Sequence, residues 1–233
     1  MILDKTPRAR TVVNKLDTID SEFRVFAMEL LAGEPEYHAE VSESGCLFQL
    51  DFRSVYWNSR LHTEHARLID QFQPFQVVAD VMAGIGPFAV PAGKKRCYVL
   101  ANDLNPSCYE SLKGNTERNH VATRVAPYCM DGRAFIQEAV QRCWDAAYPG
   151  AVPGSELQSA WQRRKAVRQR AAGDREPPAP PARRSRRLVD HFVMNLPASA
   201  LEFLDAYRGA YTRLAQRVGR EAVLAEIHAR AQD

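Results

Sequence analysis

The residues whose types and spacing could support chemistry begin with a glycine-containing turn, D-V-M-A-G-I-G-P, at residues 80–87. The turn follows a short apolar run, Val77 to Ala79, which is typical of a buried strand. A turn without side chains lets a ligand approach the backbone, and ligands of open parallel sheets bind at such strand ends. We therefore predict cofactor contacts from four residues of the turn: Met82, Ala83, Gly84 and Gly86. A tight structural turn is the alternative interpretation.

Carboxylates follow three successive predicted strands and indicate which cofactor the turn would hold. Asp80 ends the first strand, Asp103 the second and Asp131 the third. A carboxylate at the second position, about twenty residues after the turn, can accept hydrogen bonds from both hydroxyls of a ribose. An acidic residue before the turn disfavours a pyrophosphate, because like charges would meet, but suits a nucleoside with a cationic amino-acid tail. The pattern favours S-adenosylmethionine, with Leu104 and Gly132 completing the site, although aspartates that only cap turns would look the same.

The fourth predicted strand, Leu188 to Met194, ends at Asn195-Leu196-Pro197. The Asn195 amide, together with a backbone carbonyl held by Pro197, could bind the planar amide edge of a nucleobase. A simple turn from strand to helix is the alternative, because Asn and Pro both favour turns.

Strands and helices alternate from residue 76 onward, which predicts an α/β fold with a parallel sheet flanked by helices. The further predicted elements are strands at 97–101 and 124–126, a helix at 107–119, and an amphipathic helix or helix pair at 201–218. In the region before residue 76, we predict a half-buried strand at 48–52 and a helix in which Leu61, His65 and Leu68 share one face.

The chain divides into three predicted parts. Residues 1–75 form a small α+β segment, the linker or middle region, and residues 76–148 and 188–233 form the main domain. Residues 149–187, rich in Pro, Ala and Arg, form a flexible insertion within it.

Composition excludes several classes of protein. The 233 residues can bury one substantial core, and 45% hydrophobic and 25% charged residues are typical of a soluble globular protein. No apolar run approaches the length of a membrane span, and the N-terminus lacks the apolar centre of a signal peptide. The five cysteines show no metal-ligand spacing, so we predict no metal site and reduced thiols in an intracellular protein.

The net charge of +3 hides an uneven distribution. Ten basic residues lie between Arg163 and Arg187, and only Asp174 and Glu176 oppose them. This run indicates a polyanionic partner such as RNA, with a merely solvated segment as the alternative.

Long motifs of the chain resemble one family. They are V-V-N-K-L-D-T-I-D, L-D-F-R-S-V-Y-W-N-S-R-L-H-T-E-H-A-R-L, D-V-M-A-G-I-G-P-F-A-V-P-A-G-K-K, A-N-D-L-N-P and M-N-L-P-A-S-A-L-E-F-L-D. Together they resemble the archaeal and eukaryotic tRNA (guanine-37-N1)-methyltransferases, in their fungal form. The resemblance implies a class I, Rossmann-like methyltransferase that uses S-adenosylmethionine and acts as a monomer on tRNA, at N1 of the guanosine 3′ of the anticodon. It also implies a cytoplasmic protein, with the mitochondrial matrix and the nucleus as further compartments.

The resemblance assigns roles to individual residues. Glu64 would be the general base, Arg24 would assist catalysis and Asn195 would orient the guanine. The substrate-binding residues implied in the same way are Tyr56, Arg60 and Pro197. These roles suit the reaction, because guanine N1 must lose its proton as the methyl group arrives. A guanidinium could also stabilise negative charge that develops on O6.

The chain also departs from the family's pattern. It starts near the linker to the middle region, stops soon after the N-L-P-A helix, carries the Arg-rich insertion and has Ser59 where a Pro is usual. These departures predict a chain shortened at both ends and leave open a catalytically impaired remnant that binds cofactor or RNA. A methyltransferase acting on amino groups, which would not require Glu64, is a further alternative. A nicotinamide dehydrogenase is disfavoured, because no catalytic His/Tyr/Lys set is recognisable.

Overall fold

The chain forms two small hairpins, a central sheet and helices around that sheet. The computed structural model describes residues 2–6, 9–16, 23, 25, 27–149, 185–196 and 199–230. The strands are β1 (Thr11–Lys15), β2 (Met28–Gly33), β3 (His38–Glu43), β4 (Cys46–Asp51), β5 (Val77–Asp80), β6 (Tyr98–Asn102), β7 (Val125–Tyr128), β8 (Tyr148–Pro149), β9 (Ser185–Arg186) and β10 (His191–Val193). The α-helices are α1 (Ile2–Lys5), α2 (His62–Gln71), α3 (Ala89–Lys94), α4 (Pro106–Arg118), α5 (Gly132–Ala146), α6 (Ala210–Val218) and α7 (Arg220–Arg230), and 3₁₀ helices cover Ser59–Leu61 and Ala200–Tyr207.

The central sheet contains four parallel strands in the order β10-β5-β6-β7. Strand β5 is buried along its whole length, as expected when helices cover both faces of a parallel sheet. Val78 belongs to a core that includes Leu112 of α4, whereas Val77 belongs to a core that includes Phe135 of α5. The predicted α/β fold is therefore confirmed, and the carboxyl ends of four strands meet at one edge.

Asn115 of α4 and Asn119, which caps the end of that helix, fasten the antiparallel β3–β4 hairpin to α4. The Asn115 amide accepts a hydrogen bond from Gln49 N at 2.8 Å and donates one to Gln49 O at 3.3 Å. Asn119 makes the same pair of contacts with Leu47, at 3.0 and 2.7 Å. The two side chains satisfy the edge of β4 as a neighbouring strand would, and they fix the hairpin against the sheet.

The segment predicted as an amphipathic helix or helix pair at 201–218 is a pair. A 3₁₀ helix ends at Tyr207, and α6 begins at Ala210 after Gly209, whose φ of +73° favours glycine. Leu214 of α6 is fully buried and packs with Val140 of α5.

The predicted insertion at 149–187 lies almost entirely outside the described residues. At its two ends, β8 and β9 pair antiparallel, with Pro149 opposite Ser185. Among the residues that the structure describes, no helix combines the length and apolar composition needed to cross a membrane, and no group of three or more His, Cys, Asp or Glu side chains could hold a metal ion. The five cysteines are free thiols, and Cys129 alone among them is exposed.

Candidate active site

A cavity of about 330 Å³ lies at the carboxyl edge of the central sheet. Loops that follow all four strands contribute to its wall, as does the segment between β4 and α2. Nine of the predicted site residues line it: Tyr56, Met82, Ala83, Gly84, Asp103, Leu104, Asp131, Gly132 and Asn195. Asp80, Gly86, Arg60 and Glu64 are not among the lining residues, and Arg24 and Pro197 lie outside the described residues.

The two glycines of the turn have different surroundings. Gly84 lines the cavity, has a φ of +55°, and a Cβ added to it would meet no atom within 4 Å. Gly86 has a φ of +101°, and a Cβ there would approach Val90 Cγ2 to 2.9 Å and Leu112 Cδ1 to 2.8 Å. Gly84 therefore leaves space for a ligand at the backbone, whereas Gly86 lets the turn pack against α3 and α4.

Asp103 is held in the cavity wall by backbone groups. Its carboxylate accepts hydrogen bonds from Gly84 N at 2.7 Å and Asn105 N at 2.9 Å. Burial raises the pKa of Asp103, although the bonds from Asn105 and Gly84 act in the opposite direction. Each oxygen keeps a further lone pair, so the carboxylate can still accept hydrogen bonds from ligand hydroxyls.

Asn102, just before Asp103, joins the loops that follow β5 and β7. Its amide nitrogen donates to Val81 O at 3.1 Å and to Met130 O at 2.9 Å, and its oxygen accepts from Met130 N at 3.0 Å. These bonds fix the relative positions of the glycine turn and the Asp131 loop.

Asp80 occupies a different position from the one expected of a direct ligand. It is fully buried at the end of β5, and neither carboxylate oxygen has a hydrogen-bond partner among the described residues. Burial, and to a smaller extent the nearby Asp103, raises the pKa of Asp80 well above its usual value. Asp80 does not line the cavity, and its role as a cofactor contact stays a prediction.

Asp131 and Gly132 start helix α5 at the far side of the cavity. The Asp131 carboxylate caps the helix by accepting hydrogen bonds from Arg133 N at 2.9 Å and Ala134 N at 3.1 Å. A Cβ on Gly132 would approach Phe203 Cε1 to 3.0 Å and Met82 Cε to 3.3 Å. Gly132 thus lets Phe203 and Met82 pack closely against the start of α5, and all three residues line the cavity.

A second space, a groove of about 540 Å³ between α2 and β10, adjoins the cavity. Four residues line both spaces: Leu61, His65, Phe88 and Asn195. Glu64 lines the groove, where both of its oxygens accept hydrogen bonds from Arg67, at 2.7 and 2.6 Å. These bonds lower the pKa of the exposed Glu64 carboxyl. The structure thus brings Glu64 and Asn195 to one groove but does not bring Glu64 into the cavity.

A comparison with known proteins shows to which protein family this chain belongs. Residues 39–144, which run from β3 to α5, match the TRM5/TYW2 methyltransferase domain. The chain carries a methyltransferase domain of the TRM5/TYW2 family. This confirms the resemblance that the sequence motifs indicated.

The curated relatives are fungal tRNA (guanine(37)-N(1))-methyltransferases. The Coprinopsis cinerea protein is 56% identical over 214 residues, which cover 90% of this chain and 46% of that protein. The Schizosaccharomyces pombe protein is 47% identical over 233 residues, which cover 98% of this chain and 50% of that protein. This chain spans about half the length of the curated relatives that it matches.

Solved structures of the TRM5 type confirm the Rossmann-like methyltransferase fold. Wild-type Trm5b from Pyrococcus abyssi is 33% identical with a TM-score of 0.51, over 57% of this chain and 40% of that one. The aTrm5 chain in a complex with tRNALeu is 27% identical with a TM-score of 0.54, over 60% of this chain and 47% of that one.

The TRM5/TYW2-type domain also contains a buried pair at its site that sequence reasoning missed. His65 is 3% exposed, and its Nδ1 lies 2.6 Å from Glu43 Oε1. The spacing of Leu61, His65 and Leu68 indicates that His65 faces inward. Glu43 comes from a hairpin 22 residues earlier, so no local pattern could connect the two.

Proposed function

We propose that this chain transfers a methyl group from S-adenosylmethionine to N1 of the guanosine 3′ of the anticodon in tRNA. The observation that carries the proposal is the junction of two spaces. A cavity with Asp103 and Gly84 in its wall meets, at Asn195, the groove that contains Glu64. The curated relatives with this activity, described above, support the choice of reaction and substrate.

The cavity residues fit the cofactor. Asp103 would accept hydrogen bonds from the ribose hydroxyls, and Leu104 would lie beside the ribose. The apolar side chains of Met82 and Phe203 would contact the adenine, with Gly132 and Asp131 at its edge. Ala83 and Gly84 would give the amino-acid part access to the backbone. S-adenosylmethionine, when bound, supplies an electrophilic methyl group on a sulfonium. A solved Methanocaldococcus jannaschii Trm5 in complex with adenosine supports a nucleoside in this type of site.

The residues of the groove would receive the target guanine. The Asn195 amide, at the boundary, would orient the base, and Tyr56 would contact it from the cavity side. Glu64 remains the proposed general base, which requires its carboxylate to exchange Arg67 for another partner. From the resemblance, Arg24 remains a proposed catalytic residue, and Arg60 and Pro197 remain proposed substrate contacts.

We expect tRNA to be the partner and the chain to act as a monomer. A cytoplasmic protein that also works in the mitochondrial matrix and the nucleus matches the family's range. Sedimentation of the purified chain, with and without tRNA, and fractionation of cells would test these expectations.

The decisive assay is methyl transfer from S-adenosylmethionine to a tRNA transcript with guanosine 3′ of the anticodon. A transcript with adenosine at that position is the matched control. We expect product as 1-methylguanosine from the first transcript and none from the second. Cofactor binding by calorimetry without turnover on either transcript would instead identify a binding remnant. Equal transfer to both transcripts would identify another methyl acceptor.

A further inference from the structure

A cleft of about 700 Å³ lies between α5, α6 and the 3₁₀ helix at Ala200–Tyr207, and we call it the α5–α6 cleft. Buried Leu214 of α6 packs with Val140 of α5, which holds the two helices side by side. Arginines account for four of the ten residues that line the cleft: Arg133, Arg208, Arg213 and Arg217. Such a concentration of cations on one concave surface attracts anions.

The carboxylates of the cleft do not balance these arginines. Two carboxylates line it, Asp205 and Glu138, and each already pairs with an arginine, at 3.1 and 2.9 Å. The side chains of Arg208 and Arg213 are exposed and form no ion pair with a described residue. A guanidinium group matches phosphate in particular, because its planar fork can donate two parallel N–H bonds to the phosphate oxygens.

Arg133 connects the α5–α6 cleft to the cavity. It follows Gly132 at the start of α5, and its guanidinium lies over the Phe203 ring, 4.3 Å from the ring centroid. Gly132 and Phe203 line the cavity, whereas Arg133 lines the cleft. Gln137 and Gln141 follow Arg133 on the same face of α5, so the cleft extends about 12 Å along this helix. An RNA strand whose target base reaches the cavity could therefore lay neighbouring phosphates in the cleft.

We propose that the α5–α6 cleft binds backbone phosphates of tRNA, with Arg208 and Arg213 as the principal contacts. The inference rests on the proposed function, because that function names tRNA as the substrate. Phosphate contacts are independent of base identity, so the cleft would add affinity and fix the position of the strand without selecting the nucleotide. The connection to the cavity favours RNA over an acidic segment of another protein as the occupant.

The salt dependence of tRNA binding tests the proposal most directly. The dissociation constant of a tRNA transcript with guanosine 3′ of the anticodon is measured for the unmodified chain and for Arg208→Gln/Arg213→Gln. Each phosphate contact that is lost should reduce the slope of log K against log salt by about 0.7–0.9. Between about 50 and 200 mM salt, the unmodified chain should therefore lose about tenfold more affinity than the double variant. An unchanged slope would overturn the proposal and leave an acidic protein segment as the occupant.

The matched control for the single variants is Lys113→Gln, which also removes one exposed positive charge. Lys113 belongs to α4, whose Leu112 packs on the other face of the sheet, and it does not line the cleft or the cavity. Lys113→Gln should leave the slope unchanged, whereas Arg213→Gln should reduce it by about 0.7–0.9. Equal reductions in the two variants would show that only net charge matters and would overturn the proposed site.

Kinetics separate binding in the cleft from the methyl transfer itself. Arg208 and Arg213 line neither the cavity nor the groove that contains Glu64. The double variant should therefore raise KM for tRNA while kcat stays within about threefold. A lower kcat with unchanged KM would place these arginines in the chemistry and overturn the proposal.

The two proposals can fail separately. Absence of methyl transfer by the unmodified chain, together with the expected difference in salt slope, would contradict the proposed function and support the phosphate site. Methyl transfer by the unmodified chain, together with equal slopes in the unmodified chain and the double variant, would support the proposed function and overturn the phosphate site.

Discussion

The cavity and the adjoining groove hold their polar groups in different ways. In the cavity, backbone N–H groups bind the carboxylates: Gly84 and Asn105 donate to Asp103, and Arg133 and Ala134 donate to Asp131. At Glu64 in the groove and at His65 on its boundary, the partners are side chains.

There, Glu64 binds Arg67 and His65 binds Glu43. A backbone N–H donor can move only if the fold itself changes, whereas a side chain can exchange one hydrogen-bond partner for another. The difference indicates a cavity organised before ligand binding and a groove that rearranges when the substrate enters.

The largest expected effect tests the rigidity of the cavity turn. Gly86→Ala should destabilise the fold by about 3 kcal/mol, because the backbone conformation is strained for alanine and the added Cβ meets Val90 and Leu112. Gly84→Ala should cost only about 1 kcal/mol, because the φ of +55° is left-handed but the space is open. Chemical denaturation of both variants measures the difference. Equal losses of stability would show that Gly86 is not more closely packed than Gly84.

The next effect concerns the carboxylate that would bind the ribose. Asp103→Ala should weaken binding of S-adenosylhomocysteine about 100-fold, since it removes charge-assisted hydrogen bonds and releases the Gly84 loop. Asp131→Ala should weaken it less than tenfold, because this carboxylate also caps α5 and is worth about 1 kcal/mol there. Titration calorimetry is the measurement. If Asp131→Ala weakened binding more than Asp103→Ala, the ribose could not lie at the end of β6.

A comparable effect on stability should come from the fastening of the β3–β4 hairpin. Asn115→Ala should destabilise the chain by about 2 kcal/mol, because it leaves buried backbone groups of Gln49 and Ile85 without partners. His38→Ala, on the exposed side of the same hairpin, should cost about 0.5 kcal/mol or less. The hairpin contacts α2 through the Glu43–His65 pair beside the groove, so we expect Asn115→Ala also to lower kcat. Unchanged kcat in a folded Asn115→Ala variant would show that the position of the hairpin does not affect the reaction in the groove.

The smallest effect depends on pH and concerns Asp80. Its pKa is raised in the folded state, so its contribution to stability is present in acid and is lost as pH rises from the unfolded value through the folded value. Asp80→Asn removes the ionisation, and we expect this variant to be more stable than the unmodified chain at pH 7.5. The advantage should shrink toward pH 4. Denaturation curves of both proteins at several pH values, without cofactor, would show it. A difference that does not vary with pH would contradict the burial account.

The sequence predicted which residues meet in the cavity better than which residues meet in the groove. Asp103, Asp131 and the glycine turn follow strands whose ends must meet in a parallel sheet, so local patterns sufficed. The His65–Glu43 pair joins two elements that no periodicity connects, and it depends on Asn115 and Asn119, which hold the hairpin. The sequence did not indicate that Asp80 is fully buried, because a strand end can bury its last side chain as well as expose it.

The most direct test is an experimental structure of the chain with S-adenosylhomocysteine and a tRNA anticodon arm. We predict ribose hydroxyls within hydrogen-bonding distance of Asp103, adenine in contact with Met82 and Phe203, and the target guanine at the boundary lined by Asn195 and His65. A nucleoside bound away from the carboxyl edge of β5 and β6, or a guanine that contacts neither boundary residue, would contradict it.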